Sequence, residues 1–232
     1  MGDSLKPKDI SDKMIIEIIE GISTIRMRVA CYTGWYAGMR ASDVAKLKIS
    51  EVDMNMHSIT YVQKKTKAVR VVYVVEELRR ILYPYIKYHA VNKEFIFASP
   101  FGNKEHVTAI SLCQAFNRSM VNLGLDEVYM IDKKNKPRYK YSFHSLKHSF
   151  CNKVAKKVHD PFEAMAITGH KSFDAYRQYI HVRQRPEVMK GLFKKEEKQE
   201  DEKDKLIKLL TEQVNTLNGL IGEKKEEIIS EV

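Results

Sequence analysis

Residues 57–75 read HSITYVQKKTKAVRVVYVV. Two runs rich in β-branched residues, 57–63 and 69–75, flank the polar stretch KKTKA. β-Branched side chains fit a pleated surface, so the pattern predicts a β-hairpin with a lysine-rich tip. The segments on either side keep a different period. Ile15, Ile18, Ile19, Ile22, Ile25 and Val29 recur at helical spacing, giving one or two helices over 9–31 broken near Gly21. Residues 41–47 read as a short helix, and 76–89 as a longer one that Pro84 should kink or end. A hairpin set among helices makes the fold α+β, predominantly helical with a small antiparallel sheet.

Further along, 94–103 reads as a short extended piece and a loop, and Thr108 caps a helix running to about Leu123. Residues 126–142, with MIDKKNKPRYKYS, read as a basic loop flecked with aromatics, suited either to phosphate contacts or to plain solvation. Several short helices follow over 143–193, with breaks near Asp160-Pro161 and at Gly169. From Lys194 the composition shifts to KKEEKQEDEKDK and then to a long helical pattern. That shift marks a boundary between a domain over 5–193 and a charged linker with a helical tail over 194–232.

The 232 residues carry a formal charge of +10, unevenly spread. From Lys194 onward 8 lysines face 11 acidic residues, a net of −3, which leaves +13 on residues 1–193. So basic a body suggests a polyanion, nucleic acid first and an anionic membrane second, although a merely solvated basic surface is an ordinary alternative. No apolar run approaches the length of a membrane span, and no signal peptide opens the sequence. Cys31, Cys113 and Cys151 are odd in number and widely spaced. They form neither a zinc pattern nor a disulfide framework, which fits a reducing cytoplasm.

Four fragments belong together: TGWYAGMRASDVAKL (33–47), the hairpin tip QKKTKAVRVVYV (63–74), FHSLKHSFCNKVA (143–155) and GHKSFDAYRQYIHV (169–182). In that order they resemble the catalytic domain of the tyrosine recombinases, the phage-integrase family. Gly38-Met39-Arg40 with Asp43 resembles the family's Arg motif followed by an acidic residue. Lys65-Thr66 matches its hairpin lysine, and His144-Ser-Leu-Lys147-His148 stands where relatives have His-x-x-Arg-His. Thr168-Gly169-His170, then Tyr179 and His181, match the closing Gly-His…Tyr-x-His spacing. The resemblance runs from about 9 to 190. It places the nucleophile at Tyr179 and leaves Tyr176, three residues earlier, as a packing residue.

The resemblance implies a DNA breaking-rejoining fold and a site-specific recombinase or integrase of a virus, plasmid or similar mobile element. Its partner is double-stranded DNA carrying a specific recombination site, met in the cytoplasm of a host. Tyr179 would attack the phosphodiester to give a 3′-phosphotyrosyl intermediate. Arg40 would clamp the non-bridging oxygens, with Lys147 and His170 as further donors. Lys65 would protonate the departing 5′ oxygen, and His144 would assist proton transfer at Tyr179. The bond energy is stored covalently, so neither ATP, nor metal, nor any other cofactor is needed. Two departures stand out: Lys147 replaces an arginine whose planar fork grips two oxygens, and the helical domain that usually precedes the catalytic domain has no counterpart, implying an excised fragment or weaker DNA binding.

Other readings accompany each motif. Arg40 reads equally as a surface arginine paired with Asp43, and the tip lysines as a solubilising edge. His144 and His148 share the i, i+4 spacing of a metal-binding helix, but no Glu follows His144 and no third ligand is evident. Two rival functions use the same fold: a catalytically silent DNA-binding protein, which Lys147 favours, and a type IB topoisomerase. In the tail, Ile207, Leu210, Val214, Leu217, Ile221, Lys224 and Ile228 alternate spacings of three and four. β-Branched a and leucine d positions predict a parallel two-stranded coil and weak self-association through 200–230. Gly219 and Gly222 weaken it, and the alternative is one amphipathic helix docked on its own domain or on a neighbouring protomer.

Overall fold

The hairpin forms where its β-branched runs place it. In the computed structural model the described residues are 10–65, 67–102, 104–131, 135, 137–179 and 209–214. β2 (Ser58–Val62) pairs antiparallel with β3 (Val69–Tyr73), and a two-residue strand β1 (Val52–Asp53) extends the sheet in the order β1-β2-β3. One hairpin face buries Ile59, Tyr61, Arg70 and Val72, while Val62, Val69, Val71 and Tyr73 are exposed on the other. β1 is too short to show any periodicity in the sequence.

Eight helices are described in this part of the chain. α1 (Asp12–Glu20) is capped by Ser11, whose side chain accepts from the Met14 amide, and it buries Ile15, Ile18 and Ile19. α2 (Ile25–Tyr36) is the central helix, buried at every position from Val29 to Trp35 and packed by α1, α4, α5 and α6. α3 (Ala41–Val44) is shorter than the expected 41–47. The chain leaves it so that Leu47 can bond the Ile96 amide and Lys48 can bridge to Phe95.

α4 (Glu76–His89) continues past Pro84, so the proline does not end the helix. The proline costs about 3 kcal/mol. Tyr85 and Ile86, buried in the turn beyond it, return about 1.5–3 kcal/mol each, so continuing the helix wins. α5 (Ala109–Asn122) is capped by Thr108 as expected and buries Leu112, Phe116 and Met120.

The expected loop over 126–142 instead contains a second hairpin, β4 (Val128–Ile131) with β5 (Pro137–Tyr139). Val128, Met130 and Ile131 are exposed, so backbone pairing rather than one-sided burial defines these strands. No alternation marks them in the sequence for that reason. α6 (Phe143–Lys157), α7 (Pro161–Thr168) and α8 (Phe173–Arg177) follow, broken at Asp160-Pro161 and Gly169 as the sequence predicts. α6 is one 15-residue helix rather than a short one.

The chain divides into two units, 1–181 and 182–232. Within the second, residues 209–214 are helical, with Leu209, Leu210 and Val214 exposed. The 193/194 boundary, His181, and the tail positions Ile207, Leu217, Ile221, Lys224 and Ile228 lie outside the described residues.

Candidate active site

Arg40 sits at the N-cap of α3, delivered there by a sharp turn after α2. The turn depends on Gly38, which has φ +58, and a Cβ there would come within 2.3 Å of the Phe150 ring on α6. Only glycine meets both conditions. Arg40 Nη1 is buried with no hydrogen-bond partner. A buried guanidinium donor left unmade is costly and therefore a ready site for an oxyanion. Asp43, one turn into α3, is also buried, and its Oδ1 accepts from the Lys64 backbone amide at 3.0 Å. That bond ties the hairpin tip to the arginine's helix. Lys65, next along, is exposed on the tip, close enough for its charge to act on His144.

α6 presents His144, Lys147, His148 and Cys151 at i, i+3, i+4 and i+7, which is one helix face. Lys147 is 4% exposed, and its Nζ donates to the Gly38 carbonyl (2.8 Å) and the Thr168 carbonyl (3.1 Å). It thus braces the turn before Arg40 against the end of α7. His144 and His148 pack edge to face with ring centroids 4.6 Å apart.

The last part of the site is the α7–α8 turn. Gly169 closes α7 in the left-handed conformation, φ +73. His170 follows, its Nδ1 2.8 Å from the Thr168 hydroxyl, which itself donates to the Ala164 carbonyl. α8 ends at Arg177, so Tyr179 lies just past the helix rather than on one helical face with Tyr176. Its amide still bonds the Tyr176 carbonyl, and both rings are buried, Tyr176 at 1% and Tyr179 at 4% exposure. The Tyr179 hydroxyl is 2.7 Å from His148 Nδ1. The His170 and Tyr179 rings lie 5.4 Å apart.

The electrostatics follow from crowding cations into a partly dry space. Burial lowers Lys147 to about 8, opposed by Cys151 and reinforced by Arg40 and Arg70. His170 falls to about 4, first from burial and then from Lys147, Arg40 and Arg70. His144 also falls to about 4, through lost hydration, His148, Lys147, Arg40 and Lys65. It is open to solvent, so the neighbouring charges matter more for His144 than burial does. Burial pushes the Tyr179 phenol well above its ordinary range, Cys151 adds to the rise, and Arg40 opposes it. Near neutral pH, then, His144 and His170 are uncharged and Tyr179 keeps its proton. A bound phosphodiester would reverse the downward shifts of Lys147, His144 and His170, because an anion favours the protonated form of each base around it, while it would hold the Tyr179 proton still more firmly.

Arg40, Lys147, His170 and Tyr179 are therefore gathered at one place, with His144 and Lys65 at its open side. The sequence reading gave Tyr179 to His144, whereas the tyrosine's own hydrogen bond is to His148. The i, i+4 spacing of the two histidines is the available signal; the sequence reading weighs it for a metal, sets that aside for want of a third ligand, and gives His148 no role. Among the described residues no group of three or more His, Cys, Asp or Glu side chains is placed to hold a metal ion.

No curated protein matches this chain. Solved structures do. The XerA recombinase is similar with a TM-score of 0.63 at 21% identity, over 84% of this chain and 67% of that one. The Tn1549 transposon integrase in complex with circular intermediate DNA gives 0.62 at 16%, over 83% and 66%. A lambda integrase dimer bound to a COC′ core site gives 0.59 at 18%, over 80% and 62%. The chain thus spans about two thirds or less of these proteins, and the likeness is one of fold. The family model described as "Phage integrase family" matches residues 5–185, and that span takes in Arg40, Lys65, the α6 histidines, His170 and Tyr179. On that match and this fold, the chain belongs to the phage integrase family.

Proposed function

We propose that the protein cleaves and rejoins DNA at a specific site through a 3′-phosphotyrosyl intermediate at Tyr179, without metal or ATP. The observation that carries this is Arg40 Nη1, a buried cationic donor with no partner, whose charge acts on a buried tyrosine hydroxyl. A phosphodiester satisfies both, since its oxygen accepts from Arg40 and its phosphorus receives the phenol oxygen. The Tyr179 proton passes to His148, already at hydrogen-bond distance, with His144 as the ring that relays it outward. Arg40, His170 and the remaining Lys147 proton hold the non-bridging oxygens. As the bond to the 5′ oxygen breaks, that oxygen takes a proton from Lys65. Attack of a 5′ hydroxyl on the phosphotyrosine runs the steps in reverse. The basic charge on residues 1–193 draws in the duplex. Strand exchange requires several protomers on DNA, gathered in part through 200–230.

A second reading, a silent DNA-binding protein on this fold, is favoured by Lys147. Two of its three ammonium protons are already committed to the Gly38 and Thr168 carbonyls. The deciding experiment incubates the protein, in the presence of EDTA, with a pool of nicked duplexes carrying randomised arms. Covalent adducts are recovered from a denaturing gel and the modified peptide is identified by mass spectrometry. Adduct on Tyr179 is expected. Tight duplex binding with no adduct at any pool sequence establishes the silent reading instead.

A further inference from the structure

The buried face of the β2–β3 hairpin carries a guanidinium. Arg70 stands opposite Tyr61 in the strand register and is 8% exposed. Its Nη2 donates to the Ile167 carbonyl in the last turn of α7 at 2.7 Å, across 97 residues of sequence. Its Nη1 occupies the space beside Gly169, where an added Cβ would lie 1.4 Å from that nitrogen. Gly169 is thus required twice over, for its left-handed φ and for the room it leaves the guanidinium.

The two segments joined in this way are the ones that bear Lys65 and His170. Arg70 is five residues beyond Lys65 on the same hairpin, and Gly169 immediately precedes His170. On its other side the hairpin is held by the Lys64 amide on Asp43. The tip is therefore tied at two points, to α3 through Asp43 and to the end of α7 through Arg70. Nη2 is engaged with protein, and Nη1, though without a hydrogen-bond partner, is lodged against Gly169, so the side chain's visible contact is with the end of α7.

We propose that Arg70 is a positioning residue, a staple that fixes the hairpin bearing Lys65 against the turn bearing His170, so that the leaving-group proton donor and one phosphate donor are set by a single contact. What Lys65 and His170 do rests on the proposed function above, whereas the staple itself rests on the geometry alone. Loss of the fork should leave Arg40 and Tyr179 in place. It should loosen the hairpin, so the defect falls mainly on protonation of the departing oxygen.

Two measurements test this. Amide hydrogen exchange on the free protein compares wild type with Arg70→Met, which keeps the stem and removes the fork. Faster exchange is expected in both 58–73 and 168–170, with α2 and α5 unchanged. The second measurement uses the duplex selected above, made with either oxygen or sulfur at the bridging 5′ position. Tyr179 oxygen bonds phosphorus in either case, and the electron pair leaves on oxygen or on sulfur. A thiol ionises near pH 8.5, so the sulfur leaves without a donated proton. Arg70→Met should form adduct roughly ten- to a hundredfold slower on the oxygen duplex and within about threefold of wild type on the sulfur duplex. Lys65→Ala should be rescued likewise, and Arg40→Ala should be slow on both. A defect of Arg70→Met that sulfur does not relieve, or no defect, overturns the proposal. If Arg70→Met does not fold, Arg70→Lys, which keeps the charge and loses the fork, is read by the same criteria. If wild type forms no adduct with any duplex, the proposed function fails and exchange alone decides the staple, which unchanged exchange at 58–73 overturns.

Discussion

The apolar cluster that packs α1 to α6 runs from Ile10 to Leu146, whereas the cluster that holds the candidate nucleophile consists of Cys151, Ala164, Tyr176 and Tyr179. The two halves of the site are divided between them. Arg40 follows Met39, a member of the large cluster, and Lys147 follows Leu146, another. Tyr179 belongs to the small one. Resistance to local opening grows with the buried apolar contact that must be broken. The proposed phosphate-binding side is therefore built on the rigid part of the molecule, and the candidate nucleophile on a part that opens at lower cost. That suits the proposed role of a tyrosine whose resting ring is buried.

The largest expected effect lies within the small cluster. Tyr179→Phe should abolish covalent adduct while leaving duplex binding within about twofold, because only the attacking oxygen is lost. Tyr176→Phe should retain cleavage. Adduct from the first, or its loss in the second, read on the same denaturing gel, would exchange the roles of the two rings.

The contrast in rigidity is tested next. Phe116→Ala, in the large cluster, should cost about 3–5 kcal/mol of global stability in a denaturant titration. Tyr176→Ala should cost less globally but speed amide exchange over 161–179. Equal global losses would show that the two clusters unfold as one.

Lys147 lies where the clusters meet. Lys147→Ala should slow adduct formation roughly a hundredfold, the scale of one lost transition-state donor. Lys147→Arg should keep much of the activity, because a fork can still reach a carbonyl and a phosphate oxygen. A wild-type rate in the alanine variant would reduce Lys147 to its two carbonyl bonds.

A smaller effect concerns acid. His170 is pushed down to about 4 in the folded chain, and His144 is pushed the same way, below the ordinary value of about 6.5. Between those values the unfolded state binds more protons, so stability falls as pH drops from about 6.5 toward 4. The urea midpoint should decline across that window, and His170→Gln should flatten the decline. The smallest effect is at the hairpin tip, where Lys67 holds φ +54. Lys67→Gly should relieve that strain and stabilise by about 0.5–1 kcal/mol in the same titration. A loss of stability would mean that the tip depends on the lysine side chain.

Much of the fold is legible because its signals are local. The β-branched runs around KKTKA, the isoleucine spacing in 9–31, Thr108 before α5 and Asp160-Pro161 before α7 each act on their near neighbours in sequence. β4–β5 escapes the sequence reading because its strands bury little, and Pro84 does not end α4 because burial beyond it outweighs its local cost. Arg40, Lys147, His170 and Tyr179 are candidates through motif spacing. That spacing names residues and not their partners, so His148 on Tyr179 and Arg70 beside Gly169 went unseen.

The sequence by itself determined the α+β pattern, the basic body and the order of the motif residues. Tertiary structure alone decided how the polar groups are paired. Lys147 finds the Gly38 carbonyl 109 positions away, and Arg70 the Ile167 carbonyl 97 positions away. A buried donor takes whichever acceptor the packed chain brings within about 3 Å, and which one that is depends on how distant helices and strands meet.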